Sequence, residues 1–158
     1  MKIEESFTVQ APIDRVWEFI TDPEQVGPCL PGCEEIEVLG PTTYKARIKV
    51  ALGPIKTTFK VDVEVTEERP PEFAASVTRG EEGGKASRVS ADSTLALKAL
   101  DESQTEVTYA SDVSVVGRLG KFGLGIMKKK AKSMGEEFAA KFRERVEGDG
   151  ARAAEASA

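Results

Sequence analysis

Residues 55–65, IKTTFKVDVEV, limit the fold more than any other stretch. Ile55, Thr57, Phe59, Val61, Val63 and Val65 fall on one side of an extended chain, and Lys56, Thr58, Lys60, Asp62 and Glu64 on the other. Strict alternation of this kind describes a strand with one packed face and one wet face, as in antiparallel meanders. The same period recurs. Residues 3–9 place Ile3, Phe7 and Val9 together, with Glu5 as an exception on that side. Residues 33–40 carry Ile36 and Val38, and residues 43–52 turn Tyr44, Ala46, Ile48 and Val50 inward. Segments 70–80, 87–100 and 105–116 complete the set, with Val89, Ala91, Leu95 and Leu97 sharing one face and Val107, Tyr109, Val113 and Val115 another. Tight turns are expected at Gly53-Pro54 and across residues 81–85.

Two regions change to a helical period. After the first strand, Val16, Phe19 and Ile20 mark a short amphipathic helix with Trp17 beside the stripe. Asp22-Pro23 with Gln25 signals a second. Near the end, Leu119, Phe122, Ile126, Met127, Ala131, Met134, Phe138 and Phe142 predict one long helix from about 118 to 146. Residues 148–158 hold no large apolar side chain and are expected to form a disordered tail. The reading is therefore α+β: one domain over 1–147, in which a seven-stranded curved antiparallel sheet wraps a long C-terminal helix, with two short helices after the first strand.

Composition narrows the function. A net charge of −5 argues against a general nucleic-acid binder. No apolar run approaches the roughly 20 residues that span a bilayer, and the N-terminus lacks a signal-peptide stretch, so the expected address is the cytoplasm. The chain has no histidine, which removes Ser-His and Cys-His nucleophile pairs and every His-containing zinc site. Its only two cysteines, Cys29 and Cys33, bracket a Leu-Pro-Gly turn. Two thiols without histidine cannot complete a structural metal site, and the spacing is one residue wider than a redox C-x-x-C pair. They read as thiols flanking a turn. The acidic pairs Glu34–Glu35, Glu67–Glu68 and Glu81–Glu82 read as solvated strand ends. No acid, base and nucleophile converge, and no metal or covalent cofactor is expected.

The predicted helix opens with Gly117, Gly120, Gly123 and Gly125. Inside a helix each glycine costs about 1 kcal/mol relative to alanine. A helix face without side chains leaves room beneath it, and the weakened end can open as a lid. Two other readings stand: a tight helix–sheet contact, or a loop ahead of a shorter helix. In the cavity reading, Leu119, Phe122, Gly123, Ile126 and Met127 form the mouth. Trp17, Phe59, Val61, Val63, Phe73, Leu95, Leu97 and Tyr109 supply the wall. Hydroxyls of Tyr109, Tyr44, Thr57, Ser93 and Ser111 are available to orient a ligand. From Arg118 to Lys132 there are six basic residues and no acidic one. Arg118, Lys121, Lys128, Lys129 and Lys132 read either as a solvated helix face or as a surface for an anionic membrane or partner.

Over about 145 residues, all but the tail and most plainly at 7–60, the chain resembles the CoxG subunit of carbon monoxide dehydrogenase, a branch of the START-like (SRPBCC, helix-grip) superfamily. The resemblance rests on Pro12 with Val16-Trp17, Asp22-Pro23, Cys29-Leu30-Pro31-Gly32-Cys33, Tyr44 with the alternation after it, and Gly53-Pro54 leading to Phe59. The glycine-rich start of the last helix is similar too. The resemblance implies a helix-grip fold with an internal hydrophobic cavity. It implies a non-catalytic role beside a molybdenum-containing carbon monoxide dehydrogenase or related oxidoreductase. It also implies a bound lipid or isoprenoid quinone, menaquinone-like, and peripheral contact with the inner face of the cell membrane. The other readings are a ligand-free membrane tether or maturation factor, and an enzyme of the cyclase or hydrolase type.

Overall fold

In the computed structural model the backbone of residues 1–157 and the side chains of residues 1–84 and 86–148 are described. The element order is β1 (Lys2–Val9), α1 (Ile13–Ile20), α2 (Pro23–Val26), β2 (Cys33–Val38), β3 (Thr43–Leu52), β4 (Ile55–Arg69), β5 (Phe73–Glu82), β6 (Ser87–Asp101), β7 (Gln104–Gly117) and α3 (Leu124–Ser157). The strands form one antiparallel, seven-stranded curved sheet in the order β1-β7-β6-β5-β4-β3-β2. Every sequential pair from β2 to β7 is a neighbour, and β1 closes against β7. This is the predicted α+β fold, with α1 and α2 between the first two strands. Where the sequence predicts a disordered tail over 148–158, the backbone continues α3 to Ser157; the side chains past 148 lie outside the described residues.

Alternation sets the register. Phe59, Val61 and Val63 of β4 are buried, while Lys60, Asp62 and Glu64 between them are exposed. A slip of one residue would expose the whole apolar set, so a half-buried sheet holds its pairing firmly. The inner face meets two separate apolar clusters. One gathers Phe7, Val9, Val16, Trp17, Phe19, Leu97 and Val107 around the distal part of α3, where Ala139, Phe142 and Val146 enter it. The other gathers Ala46, Leu52, Phe59, Val61, Val63 and Leu119 under the first turns of α3.

The first cluster fastens the helix. Phe142 is fully buried and meets Phe19 edge-to-face at 5.4 Å and Phe7 at 5.9 Å. Phe138 stacks on Phe142 at 5.6 Å. Edge-to-face pairs add about 0.5–1.5 kcal/mol each beyond burial. Arg143 donates to the Thr8 carbonyl at 2.9 Å, tying the same turn to β1.

The long helix begins later than the periodicity predicts. Residues Arg118–Phe122 form a 3-10 turn, and α3 starts at Leu124. Gly117 and Gly123 bracket that turn with φ of 97° and 84°, a region that disfavours side chains. A Cβ on Gly117 would also sit 2.2 Å from the Ala86 carbonyl oxygen. These glycines make a turn and a close approach; they do not line a helix face. The alternative of a loop ahead of the helix holds for the turn at 118–122, but the helix is not shorter: α3 runs on to Ser157.

Phe142→Ala removes the centre of the clasp and is expected to cost about 3–5 kcal/mol. Urea denaturation followed by far-UV circular dichroism checks this. A loss below about 1 kcal/mol would mean that the helix is held elsewhere.

Candidate functional site: an apolar hollow beneath the C-terminal helix

Between the sheet and the first turns of α3 lies a hollow of about 240 Å³. Ile48, Val50, Leu52, Phe59 and Val61 wall it from β3 and β4, and Val89 and Val115 from β6 and β7. Leu119 closes one end, and Met127, Ala131 and Met134 form the roof. It exposes no polar surface, so Lys130 contributes only its stem. All three methionines of the chain, Met1, Met127 and Met134, line it. Methionine is unbranched and adaptable, and it recurs at surfaces that accept varied apolar partners. A dry apolar cavity of about 150 Å³ is already enough to take up benzene.

The hollow opens sideways. β2 pairs with β3 only as far as Cys33 opposite Ile48, so beyond Ile48 β3 keeps β4 on one edge and has no strand on the other. There a polar opening of about 310 Å³ is lined by Pro31, Gly32, Lys49, Lys56, Lys130, Ser133 and Glu137. It shares Val50, Lys130 and Met134 with the apolar hollow. The Pro31-Gly32 turn thus forms one lip. Gly32 is required there: a Cβ would stand 2.1 Å from the Lys49 carbonyl oxygen. Cys29 is buried and the Cys33 thiol points at the Glu35 carbonyl oxygen at 3.8 Å. Burial pushes both thiols up, so they stay protonated at neutral pH.

A larger groove, about 870 Å³, lies on the other face of the sheet. Charged side chains such as Lys45, Arg47, Lys60, Asp62, Arg79 and Glu81 line it, with Arg47–Glu35 at 3.0 Å and Lys45–Asp62 at 3.8 Å. That is the wet face, although Ala46, Val61, Val89 and Val116 also reach the groove between the charged rows.

The structure does not bring the predicted cavity residues together in one place. Phe59, Val61, Leu119 and Met127 line the hollow. Val63 and Phe122 pack in the same cluster without facing it. Trp17, Leu95, Leu97 and Tyr109 belong to the cluster at the distal part of α3. Phe73 stands apart at the start of β5, with the Arg69 guanidinium 4.4 Å above its ring. Gly123 faces open space and Ile126 is half exposed. The periodicity already placed Ile48, Val50, Val89 and Val115 on inner faces. It gave no sign that these, rather than Phe73 or Leu97, would meet beneath the roof.

One acidic residue departs from its expected place. Glu82, read from sequence as a solvated strand end, is only 2% exposed. Arg118 donates to both of its carboxylate oxygens, through Nε at 2.8 and 3.0 Å and through Nη2 to Oε1. The Thr57 hydroxyl adds a bond at 3.0 Å. The Ser87 hydroxyl in turn accepts from the Leu119 amide at 3.0 Å, and the Arg118 amide donates to Ala86 at 2.9 Å. This network latches the 3-10 turn, and with it the Leu119 plug, to the β5–β6 connection. Arg118 is thereby committed to Glu82. Lys121, Lys128, Lys129 and Lys132 are exposed, as are Leu124 and Ile126 in the same segment.

The sequence and the fold can both be compared with known proteins. The family profile for the CoxG subunit of carbon monoxide dehydrogenase matches residues 6–147. The chain belongs to the CoxG family. Among solved structures, a conserved protein from Geobacillus kaustophilus superposes with a TM-score of 0.85 at 24% identity, covering 92% of this chain and 95% of that one. A START superfamily protein from Mycobacterium smegmatis gives 0.75 at 15% identity over 92% and 97%. An aromatase/cyclase from Streptomyces sp. R1128 gives 0.60 at 21% identity over 96% and 94%. At these identities the likeness shows the fold, which is START-like. No curated protein matches the sequence. Among the described residues no helix is long and apolar enough to cross a membrane.

The latch has a pH signature. Arg118 pulls the Glu82 carboxyl from 4.5 down to about 2, against burial, which raises it; the Ser87 and Thr57 hydroxyls assist. A lowered folded pKa stabilises the fold above 4.5, and that stabilisation is lost as pH falls toward about 2. Arg118→Gln leaves the buried carboxylate short of its partner and is expected to cost about 1–3 kcal/mol at pH 7. It should also flatten the stability loss across that acid window. Urea midpoints for both proteins from neutral pH down to about 2 test this, and parallel curves would contradict it.

Proposed function

We propose that the chain binds a long apolar molecule, an isoprenoid quinone of the menaquinone type or a lipid, in the hollow under α3. It passes this molecule between a carbon monoxide dehydrogenase-type oxidoreductase and the membrane, without catalysing a reaction itself. The observation that carries the reading is the wholly apolar hollow roofed by methionines. Membership of a family of dehydrogenase subunits supports the oxidoreductase partner, with a molybdenum-containing enzyme as the specific expectation. A carrier of this kind shields an apolar tail from water, which otherwise costs about 0.8 kcal/mol per CH₂. No electron or bond changes hands within this chain.

The surface around the roof suits brief contact with a bilayer. Leu124 and Ile126 are 60% and 50% exposed, beside Lys121, Lys128 and Lys129. Apolar side chains flanked by lysines match the boundary between acyl chains and anionic headgroups. Such contact would hold the protein peripherally at the inner face of the membrane. A ligand-free tether is the second reading, favoured by one number. The hollow, at about 240 Å³, is below the roughly 300–1,000 Å³ of ordinary ligand pockets. A long tail therefore has to leave through the lateral opening or push the roof outward.

Native mass spectrometry after reconstitution with a menaquinone-type quinone tests the carrier. A bound species of the quinone's mass is expected, and Ala131→Phe, which fills the hollow from the roof, should abolish it without loss of fold. A clean unliganded mass for the parent protein would favour the tether. For the membrane surface, Lys121, Lys128 and Lys129 changed together to Glu should weaken binding to anionic vesicles by roughly a hundredfold or more, at about 1 kcal/mol per lysine. Undiminished vesicle binding at low salt would remove this surface from the account.

A further inference from the structure

The inner face of the sheet is not apolar throughout. Between the two clusters runs a strip of small and polar side chains. Cross-strand register places Ser76, Ser93 and Ser111 in one row, with Ala91 opposite Thr78 in the next. Ser93 and Ser111 share a hydrogen bond at 2.8 Å. On the other side of the row, Glu5 is directly opposite Tyr109. Glu5 is the acidic residue that interrupts the apolar alternation of β1, and it shares the inner face with buried Phe7 and Val9. An inward carboxylate on an otherwise apolar face costs stability unless something is gained from it.

The helix above is shaped to admit the phenol. A Cβ on Gly135 would stand 2.2 Å from the Tyr109 hydroxyl oxygen and 3.9 Å from Cγ of Glu5. Gly135 follows Met134, which roofs the hollow, so the strip adjoins the hollow along the helix. Among the described residues neither the Tyr109 hydroxyl nor the Glu5 carboxylate has a hydrogen-bond or ion-pair partner. Burial, with Glu5 second, pushes the phenol up, so it remains a donor at neutral pH. A free donor and a free acceptor thus stand side by side on neighbouring strands, one row from the serine hydroxyls and close to a space that accepts only hydrocarbon.

We propose that this strip is the head-group site of the bound amphiphile, with Tyr109 and Glu5 as its polar anchors, and that the head is a neutral group bearing carbonyl or hydroxyl oxygens. The inference rests on the reading that the hollow takes an apolar tail. Tyr109 donates to a carbonyl or hydroxyl oxygen of the head. Glu5 accepts from a head hydroxyl, and its charge repels a carboxylate or phosphate. Quinone or quinol heads and simple lipid alcohols meet this description alike, whereas acidic lipids do not.

Isothermal titration with 1-decanol and decanoate at pH 8 separates the possibilities, since the tails are alike and only the heads differ. The parent protein is expected to bind decanol at least tenfold more tightly. Glu5→Gln, close to isosteric, should remove most of that preference by strengthening decanoate. Tyr109→Phe keeps the ring on Gly135 and should weaken decanol several-fold while leaving decanoate nearly unchanged. Thermal melts confirm that both variants fold. Replacing decanol by a decyl-substituted benzoquinone then tells a carbonyl head from a hydroxyl head. Equal affinities, a preference for decanoate carried by Lys49, Lys56 and Lys130 at the lateral opening, or an unchanged ratio in Glu5→Gln would overturn the assignment. Binding of neither probe would instead remove the apolar-tail reading on which it rests.

Discussion

The C-terminal helix is held to the sheet at two places by unlike interactions, and the hollow exists because of the span between them. At the distal part, Phe142 is driven among Phe7, Phe19 and Phe138 with no exposed surface left. At the proximal end, the turn ahead of the helix is held by Arg118 on buried Glu82. Neither fastening draws the intervening turns down onto β3 and β4. Met127, Ala131 and Met134 therefore roof a space that they do not fill. Close packing is the normal state of protein interiors, so an unfilled apolar volume loses contacts that its lining could have made. The two anchors supply the stability that the middle forgoes.

Much of the fold was legible in the sequence. Seven alternating segments specified the sheet, and the turn residues between them specified its meander order. What periodicity could not show was the sheet's curvature, which decides which inner-face residues meet. Phe73 and Leu97 are as apolar as Phe59 and Val61, yet only the latter two face the hollow. The start of the long helix was misplaced for a different reason. Leu119 and Phe122 keep helical spacing through a 3-10 turn, so the pattern runs on where the backbone does not. Gly117 and Gly123 make the break, and their positive φ values leave no trace in a hydrophobic pattern.

Charge follows the same rule. Glu82 and Glu81 are neighbours in sequence, and the strand period sends them to opposite faces. Treating them as one solvated pair concealed the latch. Glu5, by contrast, stands out in the sequence as a break in the β1 alternation, and Gly135 explains why a polar group is tolerated beneath the helix. An acidic residue on an inward register position needs a partner, a ligand or contact with water. Arg118 is that partner for Glu82, and Glu5 has none among the described residues.

The central claim is that an apolar molecule occupies the space beneath the helix roof. The three methionine methyls all border that space, so ¹³C-methyl-methionine NMR reports on it with three signals. Titration with a short-tailed quinone is expected to shift Met127 and Met134 in a saturable way. If both methyls stay unmoved while the ligand binds, or shift only in proportion to added ligand without saturation, the molecule is held elsewhere and the account fails.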